Sequence, residues 1–130
     1  MRLLVCGGRN YSDKVHLFSV MDSWMTQCLL RVDPIEIIIT GGAPGADALA
    51  CFWAQERRVA HDEYRADWER YGKSAGPVRN AQMLLYGKPS AVIAFPGGRG
   101  TADMCAKARA AGVPVYQGDP LEMPWVLPHE

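Results

Sequence analysis

The sequence predicts an α/β domain: a doubly wound, mostly parallel five-stranded sheet with helices on both faces. Three observations carry this. Short continuous apolar runs, Leu3 to Cys6 and Ala91 to Phe95, suit strands buried on both faces, and the β-branched run Ile35 to Thr40 suits another strand. Each run stops at a glycine-rich turn, and each turn leads into a segment of helical periodicity. Strands alternating with helices over short connections imply right-handed βαβ crossovers, the Rossmann-like arrangement.

In chain order, the first strand is Leu3-Leu4-Val5-Cys6, ended by Gly7-Gly8. Val15, Phe18, Met21, Met25, Cys28 and Leu29 then recur at helical steps and predict an amphipathic helix ending near Pro34. The β-branched run Ile35 to Thr40 is the second strand, and Leu49, Ala50, Trp53 and Ala54 mark the second helix. Val59 to Tyr64 reads as an edge strand, followed by a loop over 66–72. Gly76-Pro77 opens a third helix, which Gly87 and Pro89 close. Ala91 to Phe95 is the fourth strand, Ala102 to Ala111 the fourth helix, and Val113 to Tyr116 the fifth strand. The domain is expected over 1–116 and a C-terminal tail over 117–130.

The chain has 130 residues, with 14 basic and 14 acidic side chains and 48% apolar residues. That length supports one domain whose core holds without disulfides or metals. Formal neutrality argues against a general nucleic-acid coat, which needs a basic surface. No run is long and apolar enough for a membrane span, and the N-terminus lacks a secretory h-region, so the expected location is cytoplasmic. Cys6, Cys28, Cys51 and Cys105 show no paired spacing and read as reduced, mostly buried thiols. His16, His61 and His129 form no cluster in sequence, so no metal site is expected. Trp53 and the helical methionines fall at core spacing.

In a doubly wound sheet, ligands bind beyond the carboxyl ends of the strands. Three glycine-rich turns fall there: Gly7-Gly8-Arg9, Gly41-Gly42-Ala43-Pro44-Gly45 and Pro96-Gly97-Gly98-Arg99-Gly100-Thr101. Glycine admits positive φ and close backbone approach, and the N–H groups opening the next helix favour an anion. The alternative is that βα turns use glycine generally. No Walker A loop is present, and no Gly-x-Gly-x-x-Gly follows the first strand, which disfavours nucleoside triphosphate hydrolysis. Arg9 and Arg99 stand where a guanidinium could close on a phosphate. Asp47 and Asp103 open helices, where they either meet ligand or complement the helix dipole. Asp67 and Glu69 could reach the cleft, and Trp68 and Tyr71 could stack on a base; otherwise Trp68 covers the core.

Gly7-Gly8-Arg9-Asn10-Tyr11, Gly41-Gly42-Ala43-x-Gly45-Ala46-Asp47, Ala66-Asp67-Trp68, Gly76-Pro77-x-Arg79-Asn80 and Ala94-Phe95-Pro96-Gly97-Gly98-x-Gly100-Thr101-Ala102-Asp103-Met104 occur in order over about residues 1–116. This set resembles the YspA-like (cpYpsA-related) branch of the SLOG superfamily. The resemblance implies a Rossmannoid domain that binds a nucleotide or nucleotide-derived ligand such as NAD, ADP-ribose or a nucleoside monophosphate, as a sensor or an N-glycosidic hydrolase, with no cofactor required. The LOG phosphoribohydrolases of the same superfamily use an Arg and a Glu. Their Arg matches Arg79, here followed by Asn80 rather than Lys. Their Glu position is Met104, which can neither stabilise an oxocarbenium ion nor activate water. Catalysis would then rest on Arg79 with Asp67 or Asp103. The superfamily also implies two alternatives, single-stranded nucleic-acid binding as in the DprA proteins and a cofactor-carrier or assembly role; a homo-oligomer, most simply a dimer, is expected.

Overall fold

A computed structural model describes residues 1–118. Five strands, β1 (Arg2–Cys6), β2 (Ile37–Thr40), β3 (Ala60–Glu63), β4 (Ala91–Ala94) and β5 (Val115–Gln117), form one sheet in the order β3-β2-β1-β4-β5. Every pairing is parallel, as in Leu4 with Ile39 on one side and Val92 on the other. The expected Rossmann-like α/β fold is the fold observed.

The helices are α1 (Lys14–Leu30), α2 (Ala46–Glu56), α3 (Trp68–Tyr71), α4 (Ala75–Gly87) and α5 (Arg99–Ala110). Strand alternation divides the core into two layers. Leu3, Val5, Ile38 and Ile93 face α1 and α2, where Trp24 and Trp53 are fully buried. Leu4, Cys6, Ile39 and Val92 face Met83 of α4 and Met104 of α5. β1 is therefore covered on both sides, which is why its sequence is apolar without alternation. All four cysteines are free and buried, as expected.

Several local expectations are corrected. The α1 core face is Leu17, Val20, Met21, Trp24 and Cys28, whereas Val15 is 83% exposed and Leu29 59% exposed. The helix has apolar residues on more than one stripe, and tertiary packing selects between them. Segment 66–72 is a loop only as far as Asp67 and is helical from Trp68. Asp67 caps α3 by accepting the Arg70 N–H at 3.1 Å, and a 3-10 turn over Gly72–Ser74 leads directly into α4. The fourth helix of the sequence begins at Arg99, so the last half of the third glycine turn is its first turn. β5 lies slightly later than expected, and only residues 117 and 118 of the expected tail fall within the described residues.

Strand order reverses between β1 and β4, because β2 and β3 build outward on one side of β1 and β4 and β5 on the other. Diverging connections leave a crevice above that point, where a doubly wound sheet takes its ligand.

Candidate functional site

The three glycine turns meet above the switch point and are hydrogen-bonded to one another. The Gly8 N–H donates to the Pro96 carbonyl at 2.8 Å, and the Ala46 N–H, at the start of α2, donates to the Gly8 carbonyl at 3.1 Å. A side chain at Gly45, whose φ is +81°, would overlap the Gly8 carbonyl oxygen; one at Gly97 would strike Thr101 and the Gly8 nitrogen. Gly7, Gly8, Gly45 and Gly97 are thus glycines because turn packs on turn. Gly98 and Gly100 meet nothing within 4 Å and stand free of such packing.

A cavity of about 600 Å³ opens beside these turns. Gly7 and Arg9 of the first turn, Gly41 and Asp47 of the second, and Gly98, Arg99, Gly100 and Thr101 of the third line it. The opposite wall comes from Trp68, Lys73, Arg79 and Asn80, with Asp103 beside them. Arg9, Lys73, Arg79 and Arg99 outnumber the two carboxylates, so the cavity favours an anion. Gly8, Pro96 and Gly97 line a neighbouring depression with Arg9, and Gly42 lines another with Arg65.

The two helix N-termini at the cleft differ. In the second turn, the Gly42 N–H donates to Thr40 Oγ1 at 3.3 Å and the Ala43 N–H donates to Asp47 Oδ2 at 3.2 Å. Asp47 thus occupies its own turn as an internal anion. It is 5% exposed, and burial pushes its carboxyl up to about 6 against the opposing pull of Ala43, Arg79 and Gly41. At α5 the N-cap is Gly98, which offers no side-chain cap. The N–H groups of Arg99, Gly100 and Thr101 have no intrahelical acceptor by position, and these residues line the cavity.

Arg79 is held from three sides. Its Nη1 donates to the Gly41 carbonyl at 2.6 Å and to the Tyr64 carbonyl at 3.4 Å, while Nε donates to Asn80 Oδ1 at 3.0 Å. A Cβ at Gly41 would fall on the guanidinium, so a side chain there would displace Arg79 from these contacts. Burial works against the Arg79 charge and Asp47 works for it; an arginine remains protonated under that balance. Asn80, 2% exposed, donates to the Gly100 carbonyl at 3.1 Å and to Asp103 Oδ2 at 2.9 Å. Lys107 Nζ reaches the other Asp103 oxygen at 2.5 Å. Burial alone would push Asp103 up, but the hydrogen bonds from Lys107 and Asn80 outweigh it and hold the carboxyl below its ordinary value. This chain of contacts locks α4 to the opening turn of α5.

The arrangement joins a glycine-lined helix N-terminus to a fixed arginine on the next helix. The profile of the YAcAr family, described as the YspA, cpYpsA-related SLOG family, matches residues 1–71. The chain belongs to that family. The Gene 61 protein of Mycobacterium phage D29 is 34% identical to it over 121 residues, covering 88% of this chain and 93% of that one.

Within this SLOG domain the remaining sequence candidates separate. Met104 is buried among Cys6, Met83 and Val92, so the position matching the LOG glutamate faces the core, and it is the neighbouring Asp103 that reaches the cleft. Asp67 is engaged in capping α3 and is absent from the cavity wall described above. Trp68 does not cover the core: it is 55% exposed, and its ring flanks the cavity. Lys73 and the Gly76-Pro77 opening of α4 also line the cleft, and sequence reasoning gives no ligand contact to them. Their signal, a lysine and a Gly-Pro pair just before Arg79, becomes legible only once the chain from Trp68 is seen to be helical. No helix among the described residues is long and apolar enough to cross a membrane. His61, isolated from other histidines in sequence, lies in space beside Cys51 and Glu63, the three ligand-type atoms all within 4.8 Å of one another.

Proposed function

We propose that this chain binds a phosphate-bearing nucleotide or nucleotide-derived ligand, of the NAD, ADP-ribose or nucleoside monophosphate kind, in the cleft above the β1–β4 switch point. The observation that carries this reading is the uncapped N-terminus of α5, opening into a cavity whose charged side chains are mainly Arg9, Lys73, Arg79 and Arg99. A phosphate there would accept the α5 amide hydrogens and meet the neighbouring guanidinium groups. The broad face of Trp68 offers a stacking platform for a base or nicotinamide ring at the cavity margin. The cavity volume falls within the range of small-molecule sites.

Binding is favoured over turnover by the state of the carboxylates. Asp103 is held ionised by Lys107 and Asn80, with both oxygens engaged, and Asp47 is enclosed by its own turn. N-glycosidic cleavage is the second reading, and the one observation favouring it is that Asp103 lies on the cavity wall near Arg79. Denaturing the purified protein and identifying released small molecules by mass spectrometry, then incubating each with fresh protein, tests both. A released phosphate-bearing nucleotide that survives incubation is expected. Release of free base and ribose phosphate, lost in Asp103→Asn, would replace binding with hydrolysis, and a co-purifying ligand without phosphate would overturn both.

A further inference from the structure

Outside the cleft, the open edge of the sheet brings together a second set of chemical groups. β3 is the edge strand, and it pairs with β2 so that His61 lies opposite Ile38 and Glu63 opposite Thr40. Residues two apart on a strand share a face, so His61 and Glu63 project to the same side of the sheet as Ile38, the side covered by α2. Buried Cys51, on α2, points back toward them and contacts Thr40 Oγ1 at 3.4 Å. One thiol, one imidazole and one carboxylate thereby converge, all three ligand atoms lying within 4.8 Å of one another.

We propose that Cys51, His61 and Glu63 form a binding site for a divalent metal ion of the zinc class, with a fourth position open to water or a ligand. A tetrahedral zinc site needs sulfur at about 2.3 Å and nitrogen or oxygen at about 2.0–2.2 Å, which sets neighbouring ligand atoms roughly 3.3–3.7 Å apart. From 4.8 Å at most, the observed cluster reaches that spacing with a contraction of up to about 1.5 Å, within reach of side-chain rotation. The mixed sulfur, nitrogen and oxygen donor set selects zinc, or cobalt as its spectroscopic substitute, over magnesium and calcium, which take oxygen ligands. Two existing contacts would yield. The Cys51 thiol would release its proton to solvent and leave Thr40, and Glu63 would leave Arg65, a surface ion pair of 2.9 Å whose loss costs little. Three protein ligands with one open position is the pattern of an accessible rather than a sealed site. Glu63 also stands beside Gly42, so the bound ion would lie behind the second glycine turn, at the margin of the cleft. The site is independent of the nucleotide reading.

The test is titration of the full-length protein, freed of metal by a chelator, with cobalt(II) alone. The expected result is one ion per chain, with a thiolate-to-cobalt charge-transfer band in the near ultraviolet and the visible bands of a tetrahedral site. Cys51→Ser abolishes the charge-transfer band, and His61→Ala and Glu63→Gln weaken binding by more than the roughly 10- to 100-fold typical of losing an outer-shell partner. Cys105→Ser leaves spectrum and affinity unchanged. Absence of the charge-transfer band in the wild-type protein overturns the proposal even if a variant fails to fold. So does a band that persists in Cys51→Ser or disappears in Cys105→Ser.

Discussion

Replacing Asp47 by asparagine should make stability less dependent on pH between about pH 4 and pH 8, in a direction that the burial of Asp47 fixes. The carboxyl is raised from an ordinary value of 3.8 to about 6 in the folded protein. The folded state therefore holds a proton more tightly than the unfolded chain. Between the two values the native state binds more protons, so stability falls as pH rises through that window, and the loss is complete above the folded value. A difference of about two pH units at about 1.36 kcal/mol per unit corresponds to roughly 3 kcal/mol. The amide that replaces the carboxyl keeps an acceptor oxygen for the Ala43 N–H but puts a donor NH2 group in place of the second oxygen. That adds an offset independent of pH, which cancels when the two proteins are compared across pH. Urea denaturation followed by fluorescence of the buried Trp24 and Trp53 measures both curves. The expected result is that the variant gains about 2.5 kcal/mol relative to wild type between pH 4 and pH 8, the rest of the change lying below pH 4. A stability difference constant to within about 0.5 kcal/mol over that range would refute the argument that Asp47 is held against its own desolvation.

The glycines and the cleft residues give four further expectations. Gly45→Ala should destabilise by at least about 2 kcal/mol in the same denaturation assay, because φ is +81° and the added carbon meets the Gly8 carbonyl. Gly98→Ala should cost no more than about 1 kcal/mol, the loss of a favourable N-cap residue, since nothing lies within 4 Å to clash with the added carbon. Arg79→Ala should weaken binding of a nucleoside monophosphate by roughly 10- to 100-fold in calorimetry, the scale of a charge-assisted hydrogen bond, and Arg79→Lys should not restore it because an ammonium cannot reproduce the guanidinium's forked contacts to Gly41 and Asn80. Trp68→Ala should leave the melting temperature nearly unchanged, the residue being exposed, while reducing the affinity for a base-bearing ligand by about 1–3 kcal/mol.

Much of this architecture is legible in the sequence because buried parallel strands have a distinctive composition. Leu3 to Cys6 and Ala91 to Phe95 are apolar without alternation since helices cover both faces. The cleft's position follows from the same logic, and Arg79, Asn80 and Gly98 to Thr101 of the third glycine turn do line it. What the sequence does not carry is the reason for each glycine. Gly45 and Gly98 look alike in a motif, yet one is fixed by a neighbouring turn's carbonyl and the other faces open space. Trp68 is illegible for a related reason: the turn of helix from Trp68 to Tyr71 is too short to show periodicity, so its ring could be assigned to core or cleft equally. The Asp47 contacts are local in sequence, but whether that carboxylate faces a ligand or its own turn depends on a backbone path set by Gly42 and Gly45. The meeting of Cys51, His61 and Glu63 depends on the register of β3 against β2, which no local pattern encodes.

Calorimetric titration of the protein with AMP, ADP-ribose and adenosine, repeated with Arg99→Ala, tests directly whether the α5 N-terminus holds a phosphate. At least one phosphate-bearing compound is expected to bind, adenosine to bind much more weakly, and the variant to lose affinity for the phosphate-bearing ligand while keeping its fold. Adenosine binding as tightly as AMP, or no binding of either phosphate-bearing compound at millimolar concentration, would contradict an anion site at the α5 N-terminus.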